Sequence, residues 1–268
     1  MKLALTEAHA LVCDTLMRCK VDPAIAKSVA TALVTAEAAG QGGHGLRRVP
    51  AYAGQARAGK VDGFAKPVVD RPFPGVLRID AQYGFAYPAL DMMVDMLPDM
   101  ARRQGIAIAA IHKSHHAGVM GLTVEKLADQ GLAAMMFANA PAAMAPWGGR
   151  RPMFGTNPIA FATPIRDGDP IVIDLAAGLT GAQFGHQSSS LFDDKGGPPA
   201  LGQMVIAIDP VAVGGPAIMD HLRYIADEIA LEEAVRLPGR RGQNARRDAE
   251  IHGLDIEDDV IAAIDDIK

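Results

Sequence analysis

Residues 112–118 read His112-Lys113-Ser114-His115-His116-Ala117-Gly118, so three of the eight histidines fall in one short stretch. Imidazole is the side chain whose unperturbed pKa lies nearest neutral pH, which makes this stretch a candidate for general acid–base work. A second reactive group is His44 with Arg47 and Arg48. A guanidinium grips a carboxylate through two parallel hydrogen bonds, and an imidazole beside it can exchange a proton with a substrate oxygen. The plainer reading of that group is a glycine-rich helix exit with exposed basic residues. The histidines at 112–116 could also bind zinc, but no close thiolate or carboxylate completes a ligand set. One structural and one catalytic histidine is the better reading. Ser114 has no strained strand-to-helix elbow of the kind that activates a serine nucleophile.

The histidine stretch follows an apolar run, 106–111, that reads as a buried strand, and a helical segment, 119–130, comes after it. A strand on one side holds the backbone of such a turn still while its side chains face a cleft. Upstream, helices are expected from Thr6 to about Cys19 and from Asp22-Pro23 to about Ala39. The second has a capping carboxylate and a proline at its first position. Residues 40–67 read as irregular, with a helical piece at 51–58, and Val76–Ile79 as a strand. A helix at 86–104 precedes the strand at 106–111. Further strands are expected at 132–138, 159–163, 170–174 and 203–208, and helices at 217–235, 243–251 and 257–267. Strands mixed with helices imply an α/β or α+β architecture.

Two loops stand out. Ala145-Pro146-Trp147-Gly148-Gly149 contains the one tryptophan, and Gly155-Thr156-Asn157-Pro158 follows it. Such loops carry function or simply fix a backbone path. Asp174 ends the apolar strand Pro170–Asp174, where a carboxylate can orient a histidine, bind a cofactor ribose or cap a helix. Gly40-Gln41-Gly42-Gly43-His44-Gly45 formally matches the dinucleotide fingerprint G-x-G-x-x-G. It lacks the preceding strand and following helix that would seat a pyrophosphate, so a Rossmann site is rejected.

Composition excludes other classes. Lys plus Arg total 26 against 31 Asp plus Glu, a net charge of −5, which gives no basic face for nucleic acid. The arginines at 236, 240, 241, 246 and 247 are interspersed with acids and read as a solvated surface. Cys13 and Cys19 are too far round one helix to pair with each other. No uncharged apolar run reaches the roughly 20 residues of a membrane span, and Glu7 and His9 interrupt any signal-peptide core. A cytoplasmic, reduced protein is the expectation.

Taken in order, these segments resemble the malate/L-lactate dehydrogenase family of the non-Rossmann type, which includes ureidoglycolate, sulfolactate and 2,3-diketogulonate oxidoreductases and an imino-acid reductase. The matching pieces are His44-Gly45 with Arg48, Ser114 to Gly118, Pro146-Trp147-Gly148-Gly149, Gly155 to Pro158, Ile173-Asp174-Leu175-Ala176, Gly178-Leu179-Thr180-Gly181-Ala182, and Pro238-Gly239. The resemblance covers almost the whole chain. It implies hydride transfer between NAD or NADP and C2 of a small 2-hydroxy or 2-keto acid. The implied fold is a mixed, mainly antiparallel sheet flanked by helices, in a homodimer. It implies His116 as the acid/base on the substrate oxygen, with His44 in that role in some members, and Arg48 on the substrate carboxylate. Gly118, Thr156, Asn157, Pro158, Asp174, Leu175 and Ala176 would line the cofactor, with Asp174 also placed to orient a histidine. No metal is expected, because no close carboxylate or thiolate completes a ligand set with the histidines. An N-terminal helical, substrate-side segment (1–72), a sheet-containing core (73–215) and C-terminal helices returning to the N-terminal part (216–268) complete the expected organisation.

The sequence departs from the family pattern twice. Gly43 stands where many members have serine, so a relay through that hydroxyl is absent. After Ala176-Ala177 the chain runs directly into Gly178-Leu179-Thr180-Gly181, without the long intervening stretch and its cofactor-contacting lysine; Lys195 is in the wrong context to replace it. An internal shortening at this join would remove core elements and part of the cofactor cradle. The alternative function is therefore a catalytically inactive remnant that binds a small acid or pairs with an intact paralogue. A histidine-centred hydrolase is a third, weaker reading.

Overall fold

A computed structural model describes residues 1–175, 188–232 and 234–267. Ala176 and the Gly178–Ala182 motif, with the join between them, lie outside the described residues.

The N-terminal third is helical. Strand β1 (Lys2–Leu3) leads into α1 (Leu5–Arg18), α2 (Pro23–Ala38), two short 3-10 turns (Gly42–His44 and Leu46–Arg48) and α3 (Val49–Ala58). Asp22 caps α2 as expected, its carboxylate accepting the Ala24 N–H at 2.9 Å, an arrangement worth about 1 kcal/mol. Thr6 does not cap α1. The helix starts after Ala4, whose N–H donates to the Glu7 carboxylate at 2.8 Å. The alanine-rich apolar face of α2 (Ala26, Val29, Ala30, Leu33) is fully buried.

The rest is built on one sheet. Strands β2 (Val68–Phe73), β3 (Val76–Asp80), β4 (Ile106–Ser114), β5 (Ala133–Ala138), β6 (Ile159–Ile165), β7 (Gly168–Leu175) and β8 (Leu201–Ile208) lie in the order β2-β3-β4-β8-β5-β6-β7. Only the β3–β4 pair is parallel. The expected mixed, mainly antiparallel sheet with flanking helices is therefore present. Helix α4 (Ala86–Gln104) makes the parallel crossover from β3 to β4, and α5 (Met120–Ala128) connects β4 to β5. Strand β2 is the strand of this sheet that the sequence reading lacks. It is an edge strand, mostly exposed, with a proline and two charges in Val-Val-Asp-Arg-Pro-Phe, so it carries no alternating apolar pattern.

The tail comprises α6 (Pro210–Gly214), α7 (Ile218–Ala230), α8 (Arg240–His252), β9 (Leu254–Asp255) and α9 (Asp258–Asp265). Strand β9 pairs with β1, and the Met1 ammonium donates to Ile256 O at 2.6 Å. Arg47 is ion-paired with Glu257 and Asp259 at α9. The tail thus returns to the N-terminal helices and claims Arg47 for structure.

Register explains how distant motifs converge. Ser114 on β4 faces Leu201 on β8, Ala138 on β5 faces Gln203, Phe137 faces Ile159 on β6, and Ile159 faces Leu175 on β7. The histidine turn, the Thr156–Pro158 loop and the end of β7 therefore all emerge at one end of the sheet.

Candidate active site

Strand β4 continues past the expected Ile111 to Ser114, and its register with β8 shifts between those residues. Lys113 sits at φ 49° in this bulge, and its ammonium is held by Asp80 at 2.6 Å. A bulge breaks the alternation of a strand and re-aims the side chains beyond it. Here Ser114 and His115 are both buried in succession, and the chain then turns out at His116.

His115 is a core residue, 0% exposed. Its Nε2–H donates to Gln55 Oε1 at 2.7 Å, and its carbonyl accepts from the Gln203 amide at 3.0 Å. Burial, with lesser contributions from Lys60 and Arg48, pushes its pKa down to about 3. It therefore stays neutral at any working pH and positions its neighbour.

His116 is the better placed imidazole. Its Nδ1 lies 2.7 Å from the Tyr52 hydroxyl, which in turn lies 3.3 Å from the Tyr87 hydroxyl. With Nδ1 engaged, Nε2 is the nitrogen left for a substrate. Burial first, then Arg48, His44 and His115, hold its pKa well below the usual histidine value. A ring held neutral in this way has its lone pair available to take a substrate proton but is a weaker base than a free imidazole, and once protonated it is a strong acid that returns the proton readily. Tyr52 is raised well above the usual phenol value by burial, and Tyr87 is pushed up to about 12 by burial. Both phenols stay protonated, so they orient the ring and cannot store negative charge. Gly118 is required here. Its φ is +65°, and a Cβ on it would lie 2.5 Å from the Tyr87 hydroxyl.

His44 stacks on His116 with ring centroids 5.2 Å apart and planes 20° from parallel. Burial and then Arg48 lower its pKa, and its buried Nδ1 makes no hydrogen bond. The 3-10 turns that carry it are shaped by Glu37, whose carboxylate accepts the Leu46 N–H at 2.7 Å. A Cβ at Gly45 would lie 2.2 Å from that carboxylate. Arg48 bonds Gly43 O through Nε at 2.8 Å, which leaves its two terminal nitrogens for a carboxylate. Three of the residues named from sequence, His116, His44 and Arg48, thus sit together.

The remaining ones lie along the same sheet end. Asn157 is buried at φ 38°, and its Oδ1 accepts the Ala140 N–H at 3.0 Å. The adjacent Thr156 is exposed, and the Pro158 carbonyl accepts from Ala138 N–H at 3.3 Å. Asp174 accepts the Gly121 N–H at 2.7 Å, in the first turn of α5. A carboxylate there satisfies a free helix N–H and complements the helix dipole. Burial raises its pKa and the Gly121 bond opposes that. The group on His116 Nδ1 is Tyr52, and neither tyrosine nor Gln55 was singled out in the sequence. Leu175, beside Asp174, is exposed.

The end of the sheet fits a polar, extended cofactor. Ser114 Oγ and Gln203 Oε1 are buried there without a hydrogen-bond partner among the described residues, and Thr156 and Leu175 present an open rim. Among the described residues no cluster of three or more histidine, cysteine, aspartate or glutamate side chains could hold a metal ion. No helix among them is long and apolar enough to cross a membrane.

Comparison with known proteins adds an independent finding. The family model described as malate/L-lactate dehydrogenase matches residues 3–178. A (2R)-3-sulfolactate dehydrogenase (NADP(+)) of Chromohalobacter salexigens is 37% identical, over 92% of this chain and 92% of that protein. A Delta(1)-pyrroline-2-carboxylate/Delta(1)-piperideine-2-carboxylate reductase of Pseudomonas putida is 30% identical over 99% of this chain and 96% of its own length. The crystal structure of delta1-piperideine-2-carboxylate reductase from Pseudomonas syringae pv. tomato superposes with a TM-score of 0.86 at 26% identity, covering 100% of each chain. The alignment to the sulfolactate dehydrogenase runs over 308 positions, more than the 268 residues available, so it opens gaps in this chain.

Proposed function

This chain belongs to the malate/L-lactate dehydrogenase family, and we propose that it is an NAD(P)-dependent oxidoreductase acting at C2 of a small 2-hydroxy or 2-keto acid. One observation carries the reading. His116 is oriented through Nδ1 by Tyr52, stacked on His44 and set beside Arg48, whose terminal nitrogens have no hydrogen-bond acceptor among the described residues. A proton-transfer group next to a carboxylate clamp is the pair a 2-hydroxy or 2-keto acid requires.

Bound nicotinamide supplies or accepts the hydride. The chain's own residues do the rest. Arg48 binds the substrate carboxylate and so fixes C2. His116 Nε2 takes the proton from the C2 hydroxyl in oxidation and returns it to the carbonyl oxygen in reduction. Tyr52 keeps the ring turned for that exchange, and His44 covers its face against water. Thr156, Asn157, Pro158, Asp174, Leu175 and Gly118 are assigned to the cofactor side, at the open end of the sheet.

The second reading keeps the same machinery and changes the electrophile. The similarity to pyrroline- and piperideine-carboxylate reductases favours a cyclic imino acid, in which a C=N carbon carries the carboxylate. The test is a panel of 2-keto acids and cyclic 2-imino acids with NADH and NADPH, followed by loss of absorbance at 340 nm. Turnover of a keto or hydroxy acid supports the first reading and of imino acids alone the second. No turnover, together with no saturable NADPH binding by calorimetry, leaves the inactive remnant.

A further inference from the structure

Lys60 is a lysine in an unusual position. It follows the glycine stop of α3, yet its side chain is only 1% exposed. Its ammonium donates to Ser190 O at 2.7 Å, Asp193 O at 3.0 Å and Asp193 Oδ1 at 3.0 Å. Three donors meet three acceptors, all on one loop 130 or more residues away in sequence. The loop is tightened from within, since Phe192 N–H donates to Ser190 Oγ at 3.1 Å and Lys195 N–H to Asp193 Oδ1 at 3.0 Å.

Between the two tied residues stands Phe192. Its ring is not in the core; the residue is 76% exposed. It stands 4.9 Å from the Arg48 guanidinium carbon, face to the cation. An exposed phenylalanine would ordinarily have no fixed place, and the Lys60 bonds to both sides of it provide one. The Arg48 guanidinium is thereby held at two points, by Gly43 O along its edge and by the ring on its face. Among the described residues, the in-plane edge bearing the two terminal nitrogens has no partner.

We propose that Phe192, anchored by Lys60, is the wall of the carboxylate subsite: it fixes the plane of Arg48 and limits which small acids seat against it. Lys60 is a positioning residue that acts through Phe192. Resting on the reading of Arg48 as carboxylate clamp, this deepens that reading by assigning substrate fit to an aromatic ring on a loop outside the proton-transfer group.

The test uses the full-length protein and two readouts. The first needs no substrate. The Arg48 Nε–H resonance in a proton–nitrogen NMR spectrum carries the ring-current shift of Phe192. It is expected to move in Phe192→Leu, a change at an exposed site that leaves the core intact. It is expected to move in the same direction in Lys60→Met and to stay in place in Phe192→Tyr. A Lys60→Met spectrum with the resonance unmoved overturns the anchoring. The second readout is steady-state kinetics with pyruvate as the 2-keto acid. Phe192→Leu and Lys60→Met are each expected to raise KM about 3- to 10-fold with kcat nearly unchanged, and the double variant to add nothing further. Equal KM in all variants, or additive effects, overturns the proposal. If the unmodified protein turns over no keto or imino acid, the proposed function fails, while the Arg48 resonance still decides the anchoring.

Discussion

The Tyr52 hydroxyl lies 2.7 Å from Nδ1 of His116 and joins α3 to the turn after β4 across 64 residues of sequence. This contact decides which histidine is reactive. His115, one residue earlier, is buried with Nε2–H bonded to Gln55, whereas His116 has Nδ1 occupied and Nε2 directed away from that bond. Tyr52→Phe removes the orienting group and keeps the ring. The expected result is a 10- to 100-fold lower kcat/KM, about 1.4–2.7 kcal/mol, carried mainly by kcat. Steady-state kinetics checks it, and an unchanged kcat would show that the phenol does not orient His116.

The buried histidines predict acid sensitivity with a definite sign. His115 titrates near 3 in the fold, against 6.5 for a free histidine, and His116 and His44 are lowered in the same direction. The unfolded chain takes up a proton at each as pH falls through 6.5, whereas in the fold His115 does so only near 3 and His116 and His44 only at a pH below that of a free histidine. Stability is therefore full above about 6.5 and declines below it, by up to about 1.4 kcal/mol per pH unit for each such histidine. Urea midpoints at pH 7.5 and 5.5 lie above the carboxylate range and isolate the effect. A midpoint that does not fall would show that these rings take up protons in the fold.

Gly118→Ala tests the close approach at the site. The new Cβ would meet the Tyr87 hydroxyl at 2.5 Å, from a backbone at φ +65°. The expected cost is about 1–3 kcal/mol of stability, read as a lower denaturant midpoint, together with reduced activity as the Tyr87–Tyr52 pair shifts. Wild-type stability would mean the turn has room the geometry denies.

Asp174→Ala removes the acceptor for Gly121 N–H at the start of α5. A loss of about 1 kcal/mol is expected, with Asp174→Asn losing less because its amide oxygen still accepts. Equal losses in the two variants would assign the effect to charge rather than to the cap.

Much of the frame was legible because its signals are local. Asp22-Pro23 marks a helix start by itself, and the apolar run 106–111 marks a strand. His116, His44 and Arg48 were legible as chemistry-bearing types in a recognisable order. Tyr52 and Gln55 were not, since on α3 they read as ordinary members of an alanine-rich helix, and their partners lie 64 and 60 residues away. Lys60 carries no local signal either, because a loop at 190–193 has no sequence mark of what it covers. The bulge at Lys113, which turns His115 inward and His116 outward, depends on pairing with β8 and so exists only in the sheet.

The most direct test of the account is to follow the hydride. With NADPH deuterated at nicotinamide C4 and a keto acid that the protein reduces, the account predicts one deuterium at C2 of the 2-hydroxy product. It also predicts a His116→Ala variant that transfers the same deuterium at least 100-fold more slowly. Product whose C2 hydrogen comes from solvent, or a His116→Ala variant as fast as the unaltered protein, would contradict it.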